Sequence, residues 1–346
     1  MQGPHLIPTT SGHLRAQNDA PLGKHNSNIL PVPSDPFSQP NSSSPSFILV
    51  GVPSLEAFSP FLGILFCSGY VVALVGNGAV LLVLGLDDSL RAPLHFFLGM
   101  MAVIDVVMVT SIIPKMLSIF WLKSTEISYV ACFIQMFLVH STTSEESGVL
   151  LAMAVDRYVA ICHPLRYQII LDPRTVAQIA LAIVLRALLV IAPLIVMVMN
   201  LPYCLSRVVP HSYCEHMAVA KLACADPGPS GLYSVAGSSL IVGMDVVFIA
   251  ASYGAILRTI LRKKRCRKAL STCGCHVCVM LLYYIPGMVS IWAQQFDSSV
   301  STRARVLLAD LYLILPTTLN PFVYSVRTKQ IRRAVLRTLF AQKFRD

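Results

Sequence analysis

The stretch Met153–Tyr167, MAVDRYVAICHPLRY, joins the end of a long apolar segment to a basic loop. The apolar segment, about Val130–Cys162, is long enough to cross a bilayer, which takes roughly 20 mostly apolar residues in a helix. Asp156-Arg157-Tyr158 closes that helix at one membrane face. An adjacent carboxylate can hold an arginine in a charged, bidentate contact. Breaking the contact frees a cationic head, so these three residues predict a switch that engages a partner.

Six more apolar runs flank this one, which predicts an all-α membrane protein with seven spanning helices. The other runs are about Pro60–Leu86, Leu94–Trp121, Thr175–Asn200, Gly231–Leu261, Ala269–Gln294 and Arg303–Val326. Helices are the expected spanning form because backbone groups in lipid must hydrogen-bond within their own segment. Composition agrees, since 55% of the 346 residues are hydrophobic and 13% are charged, too few charges for the surface of a soluble domain of this length.

The basic residues indicate the orientation of the chain. Eighteen of the 27 Lys and Arg residues lie on one side of the predicted helices or follow the last one, and seven lie on the other side. The positive-inside rule therefore places the N-terminus outside and the C-terminus in the cytosol. This distribution explains the formal net charge of +10 by membrane topology. The expected partner is therefore the lipid bilayer and not nucleic acid.

Three regions follow from this reading. Residues 1–58 form an extracellular and largely disordered segment, rich in Pro, Ser and Asn near its start and without the apolar core of a signal peptide. Residues 59–327 form the seven-helix domain. Residues 328–346 are a cytosolic tail whose alternating basic and apolar residues predict an amphipathic helix on the inner leaflet. Asn41 begins a glycosylation sequon on the outer side.

The ten cysteines sort by side of the membrane. Cys132, Cys204, Cys214 and Cys224 lie on the outer side, where an oxidising compartment and an even count favour disulfides. Four cysteines allow three pairings, and the residues alone do not choose among them. On the inner side, a metal site at Cys273, Cys275, His276 and Cys278 is not expected, because those spacings scatter the side chains around one helix.

Ionisable residues inside lipid are costly and are usually functional. Asp105, Glu146 and Asn320 can converge at mid-membrane, where they would either hold a sodium ion or a proton or form a structural hydrogen-bond network. Glu145 and Arg186 lie at similar depth at about 1.5 Å per residue, which predicts an ion pair between them. Pro321, in Asn320-Pro321-Phe322-Val323-Tyr324, removes a backbone hydrogen bond and predicts a hinge near the end of the last helix.

Several further motifs accompany Met153–Tyr167. They are Gly76-Asn77, Pro93–Leu98, Ser252-Tyr253, Lys268–His276, Leu315–Tyr324 and the loop His211–Cys214 with Lys221–Asp226. Together they resemble the class I (fish-like) odorant receptors, a branch of the rhodopsin-like G-protein-coupled receptors, from about Ser46 to Phe340.

The resemblance implies a function and a set of site residues. It implies disulfides Cys132–Cys214 and Cys204–Cys224. It implies an odorant pocket between helices three, five and six and the loop after helix four, a plasma-membrane location, and coupling to a stimulatory G protein that raises cyclic AMP, with no cofactor. The expected pocket residues are His140, Thr143, His216, Met217, Ile291 and Gln295. The expected switch residues are Asp156, Arg157, Tyr158, Tyr253, Asn320, Pro321 and Tyr324.

The chain departs from the family pattern at one position that bears on the ligand. Gln295 stands where many class I members carry an arginine that could pair with a carboxylate. An uncompensated carboxylate entering a desolvated pocket pays a large penalty. We therefore expect neutral, mostly apolar odorants with one hydrogen-bonding group, such as an alcohol, ketone or ester, to be preferred over the matching acids.

Two other functions fit parts of the sequence. A related seven-helix receptor for an endogenous ligand, expressed outside the olfactory epithelium, would carry the same motifs. A transporter or channel would show internal repeats or interrupted helices, and the two halves of the sequence show no repeat. An enzyme is not expected, because no nucleophile, base and oxyanion-binding group occur together.

Overall fold

Seven long helices form a bundle in the computed structural model, which describes residues 46–87, 90–204, 206–262, 267–295 and 300–327. The helices are α1 (Ser59–Leu86), α2 (Pro93–Leu122), α3 (Tyr129–Cys162), α4 (Pro173–Met199), α5 (Gly228–Arg262), α6 (Arg267–Gln295) and α7 (Thr302–Arg327). Each begins and ends within a few residues of the predicted apolar run. Asn41 and the predicted amphipathic tail, residues 328–346, lie outside the described residues.

The helices have the length and composition of membrane spans. Five of them, α1, α2, α4, α5 and α7, are each long and apolar enough to cross a bilayer. α3 meets the same standard when taken with the short helices that follow it, and α6 contributes the apolar stretch Val279–Ala293. α3 is richer in polar groups because its buried face carries the serine, threonine and acidic side chains of the bundle interior.

Local sequence signals explain where several helices begin and end. Asp172 precedes α4, and its carboxylate accepts a hydrogen bond of 2.9 Å from the backbone N–H of Thr175, while Pro173 occupies the first helical position. Ser128 caps α3 in the same way through the N–H of Ala131, at 3.3 Å. α2 ends at Leu122, and the next residue, Lys123, has a left-handed backbone with φ of 55° that terminates the helix.

A small sheet covers the extracellular end of the bundle. Strand β1 (Ser46–Leu49) pairs antiparallel with β2 (Glu126–Ser128), with Phe47 opposite Ile127, and parallel with β3 (Val208–Val209), with Leu49 opposite Val209. Phe47 is buried, and its ring lies 5.4 Å from that of Tyr203 between centroids. The last part of the predicted N-terminal segment is therefore folded, because Phe47 and Leu49 bury apolar side chains against the bundle.

Short helices complete the loops. They are Glu56–Phe58, Pro164–Arg166, Tyr167–Ile170 and His216–Ala220, and the last of these is called the loop helix below. Close packing between α1 and α7 depends on a glycine, because a Cβ at Gly76 would lie only 2.9 Å from the ring of Pro321. Pro321 lies inside α7, at the position predicted for the hinge.

Candidate functional site

The loop between α4 and α5 is fastened over the extracellular end of the bundle. Cys132 at the top of α3 is bonded to Cys214, with their Cα atoms 5.5 Å apart, and Cys204 is bonded to Cys224, with Cα atoms 5.7 Å apart. These are the pairings that the resemblance implies. The backbone N–H of Cys214 also donates to the side-chain oxygen of Gln135, at 2.9 Å. The loop is thus tied to α3 by both a covalent and a polar contact.

A second attachment joins this loop to α7. The hydroxyl of Ser212 donates to Asp310 at 2.5 Å, and both side chains are buried. His211 precedes Ser212 and is also buried, and burial lowers its pKa to about 3. The same cause lowers the pKa of His216, in the loop helix, to about 3. Both imidazoles are therefore neutral at physiological pH, so the loop adds no histidine charge to this end of the bundle.

Beneath the loop lies a cavity of about 120 Å³ enclosed by α3, α4, α5, α6 and α7. Its polar wall consists of His140, Thr143, Ser144, Ser147, Tyr233, Ser234, Ser238, Tyr283, Tyr284 and Tyr312. Its apolar wall consists of Val190, Ile191, Leu194, Ile241, Val242, Gly287, Met288 and Ile291. A mostly apolar cavity with a few convergent polar groups is the usual form of a small-molecule site.

The predicted pocket residues fall into two groups. His140, Thr143 and Ile291 line the cavity. His216 and Met217 lie on the loop helix, where both are buried, and the ring of His216 stands edge-on to that of His140 at 6.2 Å between centroids. The side chain of Gln295 falls outside the described residues. The sequence reading did not include α4 or α7 in the pocket, whereas the cavity takes residues from both.

Two polar groups of the cavity wall have unsatisfied hydrogen-bonding capacity. The Nε2 atom of His140 and the hydroxyl of Ser144 are buried and have no hydrogen-bond partner within the described part of the chain. They are four residues apart on α3, so they lie on one face of that helix. Buried polar groups normally have partners, and these two are available to a molecule in the cavity.

An ion pair lies behind the inner part of the cavity wall, and it corrects the sequence reading. Arg186 on α4 donates to both carboxylate oxygens of Asp245 on α5, at 2.7 and 3.0 Å, and to the backbone oxygen of Ser144, at 2.9 Å. The predicted pairing of Arg186 with Glu145 is therefore wrong. The similar depth of Glu145 and Arg186 in the membrane did not decide the pairing, because the face of α3 that meets α4 carries Ser144 and not Glu145.

Hydroxyl groups connect this ion pair to the cavity. Ser147 donates to Asp245 at 2.6 Å, and the hydroxyl of Tyr284 lies 2.9 Å from that of Ser147. Ser147 and Tyr284 both line the cavity. The chain of contacts Tyr284–Ser147–Asp245–Arg186 thus joins α6, α3, α5 and α4, and a molecule in the cavity can touch two of its members.

The structure brings the predicted mid-membrane polar residues together. The side-chain amide of Asn320 donates to both oxygens of Asp105, at 3.2 Å each, and Glu146 lies buried nearby. All three side chains are buried. Two carboxylates side by side in a buried site require a shared proton or a bound cation.

At the cytosolic end, Asp156 is the centre of the switch predicted from the sequence. Arg157 donates to its carboxylate through Nε at 2.9 Å and through a second nitrogen. Tyr167, in the loop after α3, donates to the other oxygen at 2.6 Å. Burial raises the pKa of Tyr167, so its hydroxyl remains a donor at physiological pH. The contact from Tyr167 was missed from the sequence, because only the bend after α3 brings it back.

The remaining switch residues occupy the same end of the bundle. The hydroxyl of Tyr158 lies 3.3 Å from Nε2 of His163. Tyr253 on α5 packs against the apolar core at the inner ends of α2 and α3. The side chain of Tyr324 falls outside the described residues. Within those residues, the structure therefore holds Arg157 to Asp156, and Asp156 to the loop that follows α3.

A bundle of seven spanning helices, a buried cavity below a disulfide-bonded loop and an Asp–Arg pair at the inner end of α3 define a rhodopsin-like receptor. Comparison with known proteins specifies the family. Residues 66–343 match the family model described as olfactory receptor. The chain is 51% identical over 294 residues to human olfactory receptor 52I2, covering 84% of each chain. It is 50% identical to human olfactory receptor 52I1, covering 84% of this chain and 91% of the relative.

The chain belongs to the olfactory receptor family. Human olfactory receptor 52H1 is a further relative, 45% identical over 293 residues that cover 84% of this chain and 93% of the relative. The protein is accordingly a multi-pass plasma-membrane receptor that takes odorant ligands and acts through a G protein. It is a receptor and not an enzyme.

Proposed function

We propose that the receptor responds to small neutral odorants, that alcohols are its preferred ligands, and that it signals through a stimulatory G protein to raise cyclic AMP. The observation that carries the ligand class is the pair of unsatisfied groups on α3, Nε2 of His140 and the hydroxyl of Ser144. In the tautomer that carries its proton on Nδ1, His140 accepts through Nε2, so a ligand hydroxyl can donate to His140 and accept from Ser144. A ketone or an ester can only accept, so it would leave Nε2 of His140 without a donor.

The charge of the cavity argues against carboxylic acids. Within the described residues, no Lys, Arg, Asp or Glu lines the cavity. Behind the cavity wall, Arg186 and Asp245 neutralise each other through two hydrogen bonds. A carboxylate placed in this cavity would lose its hydration without gaining a cation, at a large cost. Gln295, at the end of α6, is also uncharged.

The proposed transmission to the G protein uses the cytosolic residues described above. Arg157 leaves Asp156 when the receptor activates and presents its guanidinium to the G protein, while Tyr158, Tyr253 and Tyr324 complete the contact surface. Pro321 supplies the flexibility of α7 at this end, because its missing N–H interrupts the backbone hydrogen bonding of the helix. Asp105, Glu146 and Asn320 form the buried polar site, holding either a proton or a sodium ion.

A paired odorant panel tests the ligand class. Cells expressing the full-length receptor would be exposed to an alcohol, a methyl ketone, an ester and a carboxylic acid of equal chain length at neutral pH, and cyclic AMP would be measured. We expect the alcohols to be most potent and the acids least. Ser144→Ala should reduce the advantage of alcohols over ketones, because it removes the donor. Acids that are consistently more potent than their alcohols would refute the assignment.

The G-protein step needs its own control. Arg157→Ala should abolish the odorant-driven rise in cyclic AMP while the receptor remains detectable at the cell surface. Measuring surface receptor by antibody binding in the same cells separates loss of signalling from loss of expression. A response that persists in this variant would contradict the role of Arg157. A response that appears as lowered cyclic AMP or as calcium release would contradict the stimulatory G protein but not the ligand class.

A further inference from the structure

Halfway along α3, an acidic side chain has no partner in the described part of the protein. Glu145 lies at the middle of this 34-residue helix and is half-buried. It makes no hydrogen bond or ion pair with any described residue, and Arg186, at similar depth, is already paired with Asp245. An ionisable group inside the membrane is costly without a partner and usually marks a functional site. Glu145 therefore points to a contact outside the chain.

The side chain of Glu145 faces the lipid between α2 and α4. On one side of it, the hydroxyl of Thr142 contacts the sulfur of Met108 on α2, at 3.5 Å. On the other side, the backbone oxygen of Ser144 accepts from Arg186 on α4, at 2.9 Å. Each residue of a helix turns by about 100°, so Glu145 projects about 60° from Thr142 and about 100° from Ser144, away from the bundle interior. The two flanking helices leave it in a recess.

Four more residues share this direction and form, with Glu145, the outer face of α3. They are Val130, Ile134, Leu138 and Ser141, which follow one another at helical spacings of three and four residues. Val130 is 65% exposed and Ile134 is 54% exposed. The hydroxyl of Ser141 is buried and has no hydrogen-bond partner among the described residues. The face thus combines an apolar outer half with two unsatisfied polar groups at mid-depth, and none of the five residues lines the odorant cavity.

Neither the lipid nor a second copy of the chain supplies the missing partner of Glu145. Acyl chains have no hydrogen-bonding groups, and lipid head groups lie about 15 Å from the midplane of a hydrocarbon core about 30 Å thick. A second copy would bring another Glu145, and two ionised carboxylates repel each other. At the same depth, the Arg186 of that copy is already paired with its own Asp245. The missing partner is therefore a cation that a different protein carries inside the hydrocarbon core.

We propose that the outer face of α3 binds a single membrane-spanning helix of a partner protein, and that this helix carries a lysine or arginine near the bilayer midplane. Opposite charges attract strongly where the dielectric constant is low, and pairing removes the cost of leaving either charge alone in lipid. The apolar residues Val130, Ile134 and Leu138 provide the packing surface for the outer half of the helix. One helix fits a recess between α2 and α4, whereas a larger bundle would meet those two helices first.

The experiment uses the full-length receptor in cell membranes and a designed probe helix. The probe is a tagged single-span helix of about 20 leucines with one lysine at its centre, and its association with the receptor is measured by energy transfer between fluorescent labels. We expect several-fold more association with this probe than with an all-leucine helix or with a helix whose lysine lies near one end. Glu145→Leu should reduce the signal of the central-lysine probe to that of the all-leucine helix.

A charge exchange keeps the test informative if Glu145→Leu lowers surface expression. The Glu145→Lys receptor should lose the central-lysine probe and should bind a probe with a central glutamate instead. Ser239→Leu is the matched control, because Ser239 is an exposed polar residue on α5, and association should be unchanged in this variant. Probe association that ignores both the position of the lysine and the replacement of Glu145 would overturn the proposal. Self-association of two differently labelled receptors that is lost in Glu145→Leu would also overturn it, because the face would then belong to a second copy.

Discussion

Replacing Arg186 or Asp245 tests the ion pair that lies behind the odorant cavity. The side chain of Asp245 is 1% exposed and that of Arg186 is 24% exposed, so the two single replacements are not equivalent. Arg186→Gln leaves a fully buried carboxylate with the hydroxyl of Ser147 as its remaining hydrogen bond, whereas Asp245→Asn leaves a partly exposed guanidinium that still reaches the backbone of Ser144.

The expected magnitudes follow from this asymmetry. Removing one partner of a buried ion pair costs about 3–5 kcal/mol, and we expect Arg186→Gln to fall in that range. An arginine at the membrane centre costs about 2.5–3.5 kcal/mol on insertion scales, and we expect Asp245→Asn to cost no more than that. In the double variant, Gln and Asn can hydrogen-bond as neutral amides. Its loss should therefore be smaller than the sum of the single losses by about 2 kcal/mol or more.

The assay is a double-mutant cycle on SDS-induced unfolding of the purified receptor, with surface expression measured alongside. Glu145 provides the matched control, since it is acidic, lies on α3 at similar depth and does not contact Arg186 in the structure. Glu145→Gln combined with Arg186→Gln should be additive. Additive losses for Asp245 and Arg186, or a coupling of Glu145 to Arg186 as large as that of Asp245, would refute the pairing.

Two further replacements test the ends of the bundle. Tyr167→Phe should lower the stability of the unliganded receptor by about 1.5–3 kcal/mol, the usual value of a hydrogen bond to a charged group. Tyr158→Phe should cost less, because the described partner of its hydroxyl is the exposed His163, at 3.3 Å. Equal losses in detergent unfolding would argue against the contact of Tyr167 with Asp156. Cys132→Ser should lower the free energy of unfolding by about 2–5 kcal/mol, so the variant receptor should be retained inside the cell. Cys67→Ser changes a free cysteine, and this variant should reach the surface normally. Normal surface delivery of both variants would contradict a stabilising disulfide.

The seven helices were predictable because one physical quantity sets their length. A hydrocarbon core of fixed thickness requires apolar runs of about 20 residues, and those runs can be counted in a sequence. The extracellular sheet was not predicted. β1 and β3 have four and two residues, too short for an alternating pattern to stand out, and they are brought together by the loops and the burial of Phe47.

The partner of Arg186 shows which property of a helix is hard to read from sequence. Depth follows from residue number, but the direction in which a side chain faces changes by about 100° per residue. Ser144, Ser147 and Gly148 share one face, and a Cβ at Gly148 would lie 2.8 Å from the guanidinium of Arg186. Small residues four apart, such as Ser144 and Gly148, mark the place where two membrane helices approach closely. That signal was present in the sequence and would have directed Arg186 away from Glu145.

The same arrangement bears on how the receptor distinguishes ligands. The charges of Arg186 and Asp245 are separated from the cavity by the hydroxyls of Ser147 and Tyr284. A ligand therefore meets hydroxyl groups and the imidazole of His140, and no Lys or Arg lines the cavity among the described residues. A neutral hydroxyl can join this network without disturbing the ion pair, because it both donates and accepts. A carboxylate would compete with Asp245 for the hydrogen of the Ser147 hydroxyl. It would also add a second negative charge, while Arg186 is already paired with Asp245. On the proposed ligand class, the ion pair therefore has two roles: it stabilises the bundle and, by the same contacts, it disfavours anionic ligands.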